Sequence, residues 1–427
     1  HIGKRVNGFS MIEDQKFVFE QVYNVIENEK IDGIIMAGDI YDKPVPSAEA
    51  VKLFDEMLTR LVSINLPIFV ISGNHDSAER IGFGSDILSA AKVYMSRVYN
   101  GNLQKIELED DYGKINVYLL PFIKPATVKN IYKEAEIKDY DDALEYVLSQ
   151  EKIDETKRNV IVSHQFVTGA MRSESEEVSV GGLDNVSVEN YEAFDYVALG
   201  HIHRAQQMGR ESARYAGTLL KYSFSEEKHN KSMTIVDLKE KGNIEIKEIP
   251  VKPLHDLKTI KGKFSKITSE EFYKELKKED YYRAVLTDED DILNAIGKLK
   301  SIYPNLMSME YDNTRTRSYS VVDNVETGET KSPLDYFEEF FEKQNGRKMS
   351  EKQSILQKIL GKALANVQVS VRQDKNIVNR LGINSQSILG QMISNFQFVR
   401  INQYLTILGN ESIEEINEFV KSFYPGE

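Results

Sequence analysis

Short apolar runs alternate with helical patterns over roughly the first 240 residues, which predicts an α/β core. Val18, Val22, Val25 and Ile26 recur at helical spacing, as do Val51, Phe54, Leu58 and Leu61 after Ser47, a residue type suited to an N-cap. Between these helices lies the apolar run Ile34-Ile35-Met36-Ala37, closed by Gly38. The same grammar then recurs. Ile68-Phe69-Val70-Ile71 leads into Ser72-Gly73-Asn74-His75-Asp76, Val160-Ile161-Val162 into Ser163-His164, and Tyr196-Val197-Ala198-Leu199 into Gly200-His201-Ile202-His203. Runs this short and wholly apolar are expected of strands buried on both faces. Ligands of open α/β sheets bind beyond the carboxyl ends of such strands, so the polar tails fall where a site would be.

Residues 250–313 read as a smaller α+β unit. Its pattern predicts a strand over 258–267, a helix opened by the capping box Thr268-x-x-Glu271, a strand over Tyr281–Leu286, a helix over 288–303 and a strand over Leu306–Tyr311. A third region opens on Ser332 and Pro333, with an apolar stripe of Leu334, Phe337, Phe340 and Phe341. Gly346 closes that helix, and Ser350-x-x-Gln353 opens another. The resulting helix-loop-helix carries more aromatic surface than two short helices can bury alone, which suits a partner helix or coiled coil. From Leu360 charges become sparse, and a final acidic helix is predicted over 412–423.

The totals narrow the class. A length of 427 residues exceeds one ordinary core and implies two or three domains. With 41% hydrophobic and 28% charged residues, and no apolar run of about 18 residues, a soluble cytoplasmic protein is expected, with no membrane partner. The absence of Cys excludes disulfides, thiolate metal sites and cysteine nucleophiles together. A net charge of −13 argues against a broad basic face for nucleic acid. It leaves room for a nuclease, because bound divalent cations reverse the local sign of an acidic site.

Of the seven histidines, His1, His75, His164, His201 and His203 lie in short polar segments, joined by Asp39 and Asp42 of Gly38-Asp39-Ile40-Tyr41-Asp42 and by Asn74. Imidazole, carboxylate and carboxamide together suit manganese, iron or zinc, and the mixed N/O set without thiolate leans towards manganese. Two ions about 3.5–4 Å apart need a bridging carboxylate, for which Asp39 is the candidate. His75, beside Asn74 but outside the ligand set, is placed to stabilise a transition state or protonate a leaving group. Each segment alone also reads as an Asx turn or a structural histidine. The His-x-His spacing, which puts both rings on one strand face, and the recurrence of four such segments at strand ends favour a site.

The series Gly38-Asp39-x-x-Asp42, Gly73-Asn74-His75-Asp76, His164 and Gly200-His201-x-His203 resembles the calcineurin-like metallophosphoesterase signature. The flanking segments, among them residues 71–80 and 198–204 and Lys221-Tyr-Ser-Phe-Ser-Glu-Glu, are similar to the SbcD branch of bacterial nucleases. The resemblance implies a layered sheet core with helices on both faces, a small capping domain and a helical C-terminal region. It divides the chain into a nuclease domain over 1–249, a capping domain over 250–313, a linker and helix-loop-helix over 314–360 and a tail of unassigned role over 361–427. It also implies a hydrolase with two manganese ions, active as an exonuclease on duplex DNA and as an endonuclease on single strands and hairpins. Such an enzyme acts in DNA repair, recombination and replication, with an SbcC-like coiled-coil ATPase docked on the helix-loop-helix and a homodimer inside a heterotetramer. By position, His1, Asp39 and His203 would hold the first metal, and Asp39, Asn74, His164 and His201 the second, with His75 catalytic. The family places an Asp two positions before the histidine that matches His1. The chain opens on His1, which reads as a start inside a longer frame, with an under-liganded first metal and impaired activity.

Overall fold

The computed structural model describes residues 1–176, 184–314, 316 and 348. The helix-loop-helix and tail expected beyond 314 therefore lie outside the described residues. The chain forms two compact units, one of residues 1–285 and 292–310, the other of 286–291 and 311–427. In the second, Asn313 Nδ2 donates to the Asp288 carbonyl at 3.0 Å and Thr314 Oγ1 to Glu289 at 2.9 Å.

The first unit is built on two sheets. Strands β1 (Ile34–Ala37), β2 (Ile68–Ile71) and β3 (Val93–Met95) form a parallel sheet in that order. The second sheet contains β4 (Gln104–Asp110), β5 (Gly113–Leu120), β6 (Arg158–Ser163), β7 (Tyr196–Leu199), β8 (Gln206–Met208) and β9 (Arg210–Tyr215), ordered β8-β9-β7-β6-β5-β4. Its centre is parallel and its two edges antiparallel.

The period-two alternation of a strand explains how the layers stack. Ile68 and Val70 of β2 face helices α1 (Ile12–Asn28) and α2 (Ala48–Ser63), where they join Leu53, Met57 and Leu61. Phe69 and Ile71 face the other way and pack between the sheets with Val117, Leu119, Val160, Val162 and Ala198. On the far side, Ile161, Val197 and Leu199 meet Ala143, Leu144 and Val147 of α3 (Tyr140–Ser149). A helix–sheet–sheet–helix sandwich results, and each fully buried Val, Ile or Leu contributes about 1.5–3 kcal/mol. Ser47 caps α2 as expected, accepting from the Ala50 amide at 3.2 Å. The strand β1 departs from the expectation of full burial: it is the edge of its sheet, and Ile35 is 38% exposed.

The hairpin β10 (Ser232–Leu238) and β11 (Ile244–Pro250) leads to a sheet of β12 (Leu257–Gly262), β13 (Tyr281–Leu286) and β14 (Leu306–Tyr311), ordered β12-β13-β14. Here β13 and β14 keep their expected bounds, but the strand expected over 258–267 ends at Gly262, with Phe264–Ile267 helical, and the later helices differ. Thr268 Oγ1 donates back to the Phe264 carbonyl at 2.8 Å, closing one helical turn, so Ser269 rather than Thr268 precedes the next. The helix expected over 288–303 is shorter, α4 (Ala295–Ile302), with Asn294 left-handed at its N-cap. No helix among the described residues is long and apolar enough to cross a membrane.

Candidate metal centre

Register places the polar tails side by side. In the first sheet Ala37 pairs with Ile71, which sets Gly38 and Asp39 beside Gly73 and Asn74. In the second, Leu199 pairs with Ser163, and the Gly200 amide donates to the Ser163 carbonyl at 2.9 Å, which sets His201 beside His164. His1 enters through the bridge of Ile2 to Tyr41, with the Ile2 amide donating to the Ile40 carbonyl at 2.7 Å. His1, Asp39, Asn74, His75, His164, His201 and His203 are thereby brought together at the carboxyl ends of four strands, two from each sheet.

The contacts fall into two groups around Asp39, which is 7% exposed. Its Oδ2 lies 3.2 Å from His164 Nε2 and 3.7 Å from His1 Nε2, and its Oδ1 accepts from the His75 amide at 2.9 Å. Asn74 Oδ1 stands 3.0 Å from His164 Nε2 and 2.9 Å from His201 Nδ1. The ligand atoms of Asp39, His164 and His201 all lie within 4.8 Å of one another. On the other side His1 Nε2 is 2.9 Å from His203 Nε2. His1 also groups with Asp42 and His75 within 4.8 Å, a juxtaposition that the sequence pattern did not anticipate. Lys4 Nζ engages the Asp42 carboxylate at 2.7 Å, and His75 Nδ1 is 3.1 Å from the Asp42 carbonyl oxygen.

The donor set fits divalent cations. His164 Nδ1 is 2.7 Å from the Ala37 carbonyl oxygen and His203 Nδ1 is 3.1 Å from Glu226 Oε1, so both Nδ1 atoms carry the proton and both Nε2 atoms present lone pairs. Burial, reinforced by His164, drives His201 down to about 3, which keeps it in the neutral ligand form. Burial alone would raise Asp39, but His164 and the His75 amide hold its carboxyl well below the usual range, so it stays anionic. Asp39 in turn raises His164 against the effect of burial; a cation between the two would take that proton's place.

The backbone is strained where the layers meet. Asp39 has φ 51° and His201 φ 97°, both in a region that non-glycine residues enter at a cost of about 1–3 kcal/mol. A Cβ on Gly200 would stand 1.7 Å from the Ala37 carbonyl oxygen and 2.7 Å from His164 Nδ1. Gly200→Ala is therefore expected to push the sheets apart at the site, costing about 3 kcal/mol or more. A calorimetric scan should show Tm lower by roughly 5 °C or more, and an unchanged scan would contradict the close approach.

A buried second layer was not evident in the sequence. Asp76 Oδ2 accepts from the Ile40 and Gly73 amides at 3.0 and 2.9 Å, and its Oδ1 from the Tyr41 amide at 2.9 Å, tying the loops of Asp39 and Asn74 together. Glu226, fully buried, accepts from Ser175 Oγ, His203 Nδ1 and Lys231 Nζ. Its carboxyl is drawn down to about 2: burial opposes ionisation, but His203 and Lys231 outweigh it. Glu176 Oε1 accepts from the His203 amide at 2.7 Å. Two signals were available: Asp76 closes Gly73-Asn74-His75-Asp76, and Glu226 lies in the acidic end of Lys221-Tyr-Ser-Phe-Ser-Glu-Glu. Of the cations beside the motifs, Arg80 donates to the Pro44 carbonyl and Arg5 to that of Gly8.

The chain matches known families. Residues 10–205 match the calcineurin-like phosphoesterase family, and residues 253–345 match the type 5 capsule protein repressor C-terminal domain. The chain is 33% identical over 313 residues to the SbcD component of the nuclease SbcCD from Staphylococcus epidermidis, covering 72% of this chain and 82% of that protein. It is likewise 33% identical over 314 residues to the SbcD component of the nuclease SbcCD from Staphylococcus saprophyticus, with the same shares covered.

Proposed function

The chain belongs to the SbcD family, the nuclease components of SbcCD within the calcineurin-like phosphoesterases, and from that premise we propose how its residues cut DNA. It is a metal-dependent hydrolase of phosphodiester bonds. The mechanism rests chiefly on one observation: His1 and His203 meet on one side of Asp39, and Asn74, His164 and His201 on the other. His1 and His203 would hold one divalent ion, most simply manganese, and Asn74, His164 and His201 a second, with Asp39 placed to serve both sets. When bound, the ions supply hydroxide near neutral pH and neutralise charge on the phosphate.

The remaining chemistry belongs to the side chains. The His75 amide holds Asp39 Oδ1, and its ring, with Nδ1 turned to the Asp42 carbonyl, keeps Nε2 for the substrate. As the P–O bond breaks, the His75 ring, doubly protonated for this step, gives its Nε2 proton to the leaving oxygen and keeps its Nδ1 proton on the Asp42 carbonyl. Lys4, held on Asp42 beside the site, offers a cation to a flanking phosphate. The relatives' name, which makes each of them one part of a complex called SbcCD, supports an SbcC-like ATPase partner, and DNA work with that partner suits the bacterial cytoplasm. In the same proposal, duplex ends are cut as by an exonuclease and hairpins as by an endonuclease, the module over 250–313 shapes DNA access, and the protein dimerises within the complex.

The test is cleavage of labelled duplex and hairpin DNA by the full chain with manganese, beside a chromogenic phosphomonoester. DNA cleavage that EDTA abolishes is expected, with little monoester turnover. Monoester hydrolysis without nuclease activity would make this a phosphatase of the same fold, and tight manganese binding with no cleavage of either substrate would make it a scaffold protein.

A further inference from the structure

We propose that the first turn of α1 is a coupling element: Asp14 and Gln15 are positioning residues that carry the placement of the C-terminal module into the geometry of His1. The proposal rests on the assignment of His1 as a metal ligand.

Asp14 is 1% exposed, and a carboxylate so buried must be fully satisfied to be tolerated. Its donors come from beyond residue 250. Asp14 Oδ1 accepts from the His255 amide at 3.1 Å and lies 3.0 Å from His255 Nδ1, while Oδ2 accepts from Tyr281 Oη at 2.8 Å. Tyr281 opens β13, so the carboxylate fixes α1 to the C-terminal sheet at two separate chain segments. Apolar packing reinforces this join, because Tyr281 and Leu257 share a buried cluster with Val6, Met11, Val18 and Tyr222.

The next residue faces the metal centre. Gln15 is 3% exposed and divides its carboxamide among three partners. Nε2 donates to the His1 carbonyl at 2.7 Å and to Tyr222 Oη at 3.0 Å, while Oε1 accepts from the Gly3 amide at 3.0 Å. Both N–H groups are thus used, and one of them sets the main chain of His1. Tyr222 presents its ring to His1 and His203 at centroid distances of 5.7 and 6.1 Å, and its amide reaches Glu226 at 3.3 Å. Adjacent residues on one helical turn move as a body. A shift of the module that drags Asp14 therefore moves Gln15, and with it His1.

The test is ion binding by the full chain, followed by calorimetric titration with manganese and by the exchange-coupled EPR signal of a manganese pair. Tyr281→Phe removes the far end of the coupling without changing shape, and Gln15→Met removes the near end. Each is expected to weaken the His1 ion 10–100-fold, with loss of the coupled signal and no change at the other ion. The double variant should bind no more weakly than Gln15→Met alone. Tyr282→Phe is the control for general weakening of the module: its hydroxyl donates to the Lys277 carbonyl at 2.9 Å. It should leave both ions in place. Wild-type binding by folded Tyr281→Phe, or an equal loss in Tyr282→Phe, would overturn the coupling. A His1→Ala chain that keeps both ions would instead overturn the ligand assignment beneath it.

Discussion

The His75→Gln chain is expected to bind manganese as the unaltered chain does and to cleave DNA about 10²–10⁴-fold more slowly. The reason is the division of labour within one residue. The His75 backbone amide supports Asp39 Oδ1 at 2.9 Å, and that bond survives any side-chain replacement except proline. The ring makes a separate contact, with Nδ1 3.1 Å from the Asp42 carbonyl oxygen, and glutamine can keep a donor there while losing the transferable proton. Titration calorimetry measures the ions, and single-turnover cleavage measures the chemical step. A DNA with a bridging sulfur at the leaving position needs no proton for departure, so it should recover most of the lost rate. Loss of an ion from His75→Gln would give the ring a ligand's role beside His1 and Asp42, whose ligand atoms lie within 4.8 Å of its own.

The parts of the fold that were legible in the sequence are those fixed by local rules. Ile68–Ile71 and Tyr196–Leu199 are wholly buried and stop where the polar tails begin, so an apolar run marks both a strand and the edge of the site. The convergence of Asp39, Asn74, His164 and His201 followed from that one rule applied four times. The division into two sheets did not follow. Phe69 and Val70 are both apolar, and only the three-dimensional register sends one to the other sheet and the other to the helices. The acidic run Asp288-Glu289-Asp290-Asp291 suited a helix N-terminus by charge. Instead the Asp288 carbonyl and the Glu289 carboxylate accept bonds from Asn313 and Thr314, and the helix starts at Ala295. Long-range hydrogen bonds of this kind leave no periodicity to read. The same holds for Gln15, which touches the site from a position outside any motif.

Glu226 yields the largest combined effect on stability and binding. It is fully buried, and Lys231 beside it has a side chain only 6% exposed, so Glu226→Gln leaves an ammonium uncompensated in the interior. Breaking a buried pair from one side costs about 3–5 kcal/mol, or roughly 5–8 °C in Tm for a unit of this size. The same change weakens the anchor on His203 Nδ1, which lies 3.1 Å from Glu226 Oε1, and a lost anchor of that kind lowers metal affinity about 10–100-fold. The two effects are separable. Adding Lys231→Met to Glu226→Gln removes the stranded charge, so a thermal scan of the double variant should recover much of the lost Tm. Manganese affinity should stay low, because nothing restores the charged acceptor that orients the His203 ring. If affinity returned together with Tm, the weakened binding would be a consequence of instability alone, and Glu226 would have no part in holding His203.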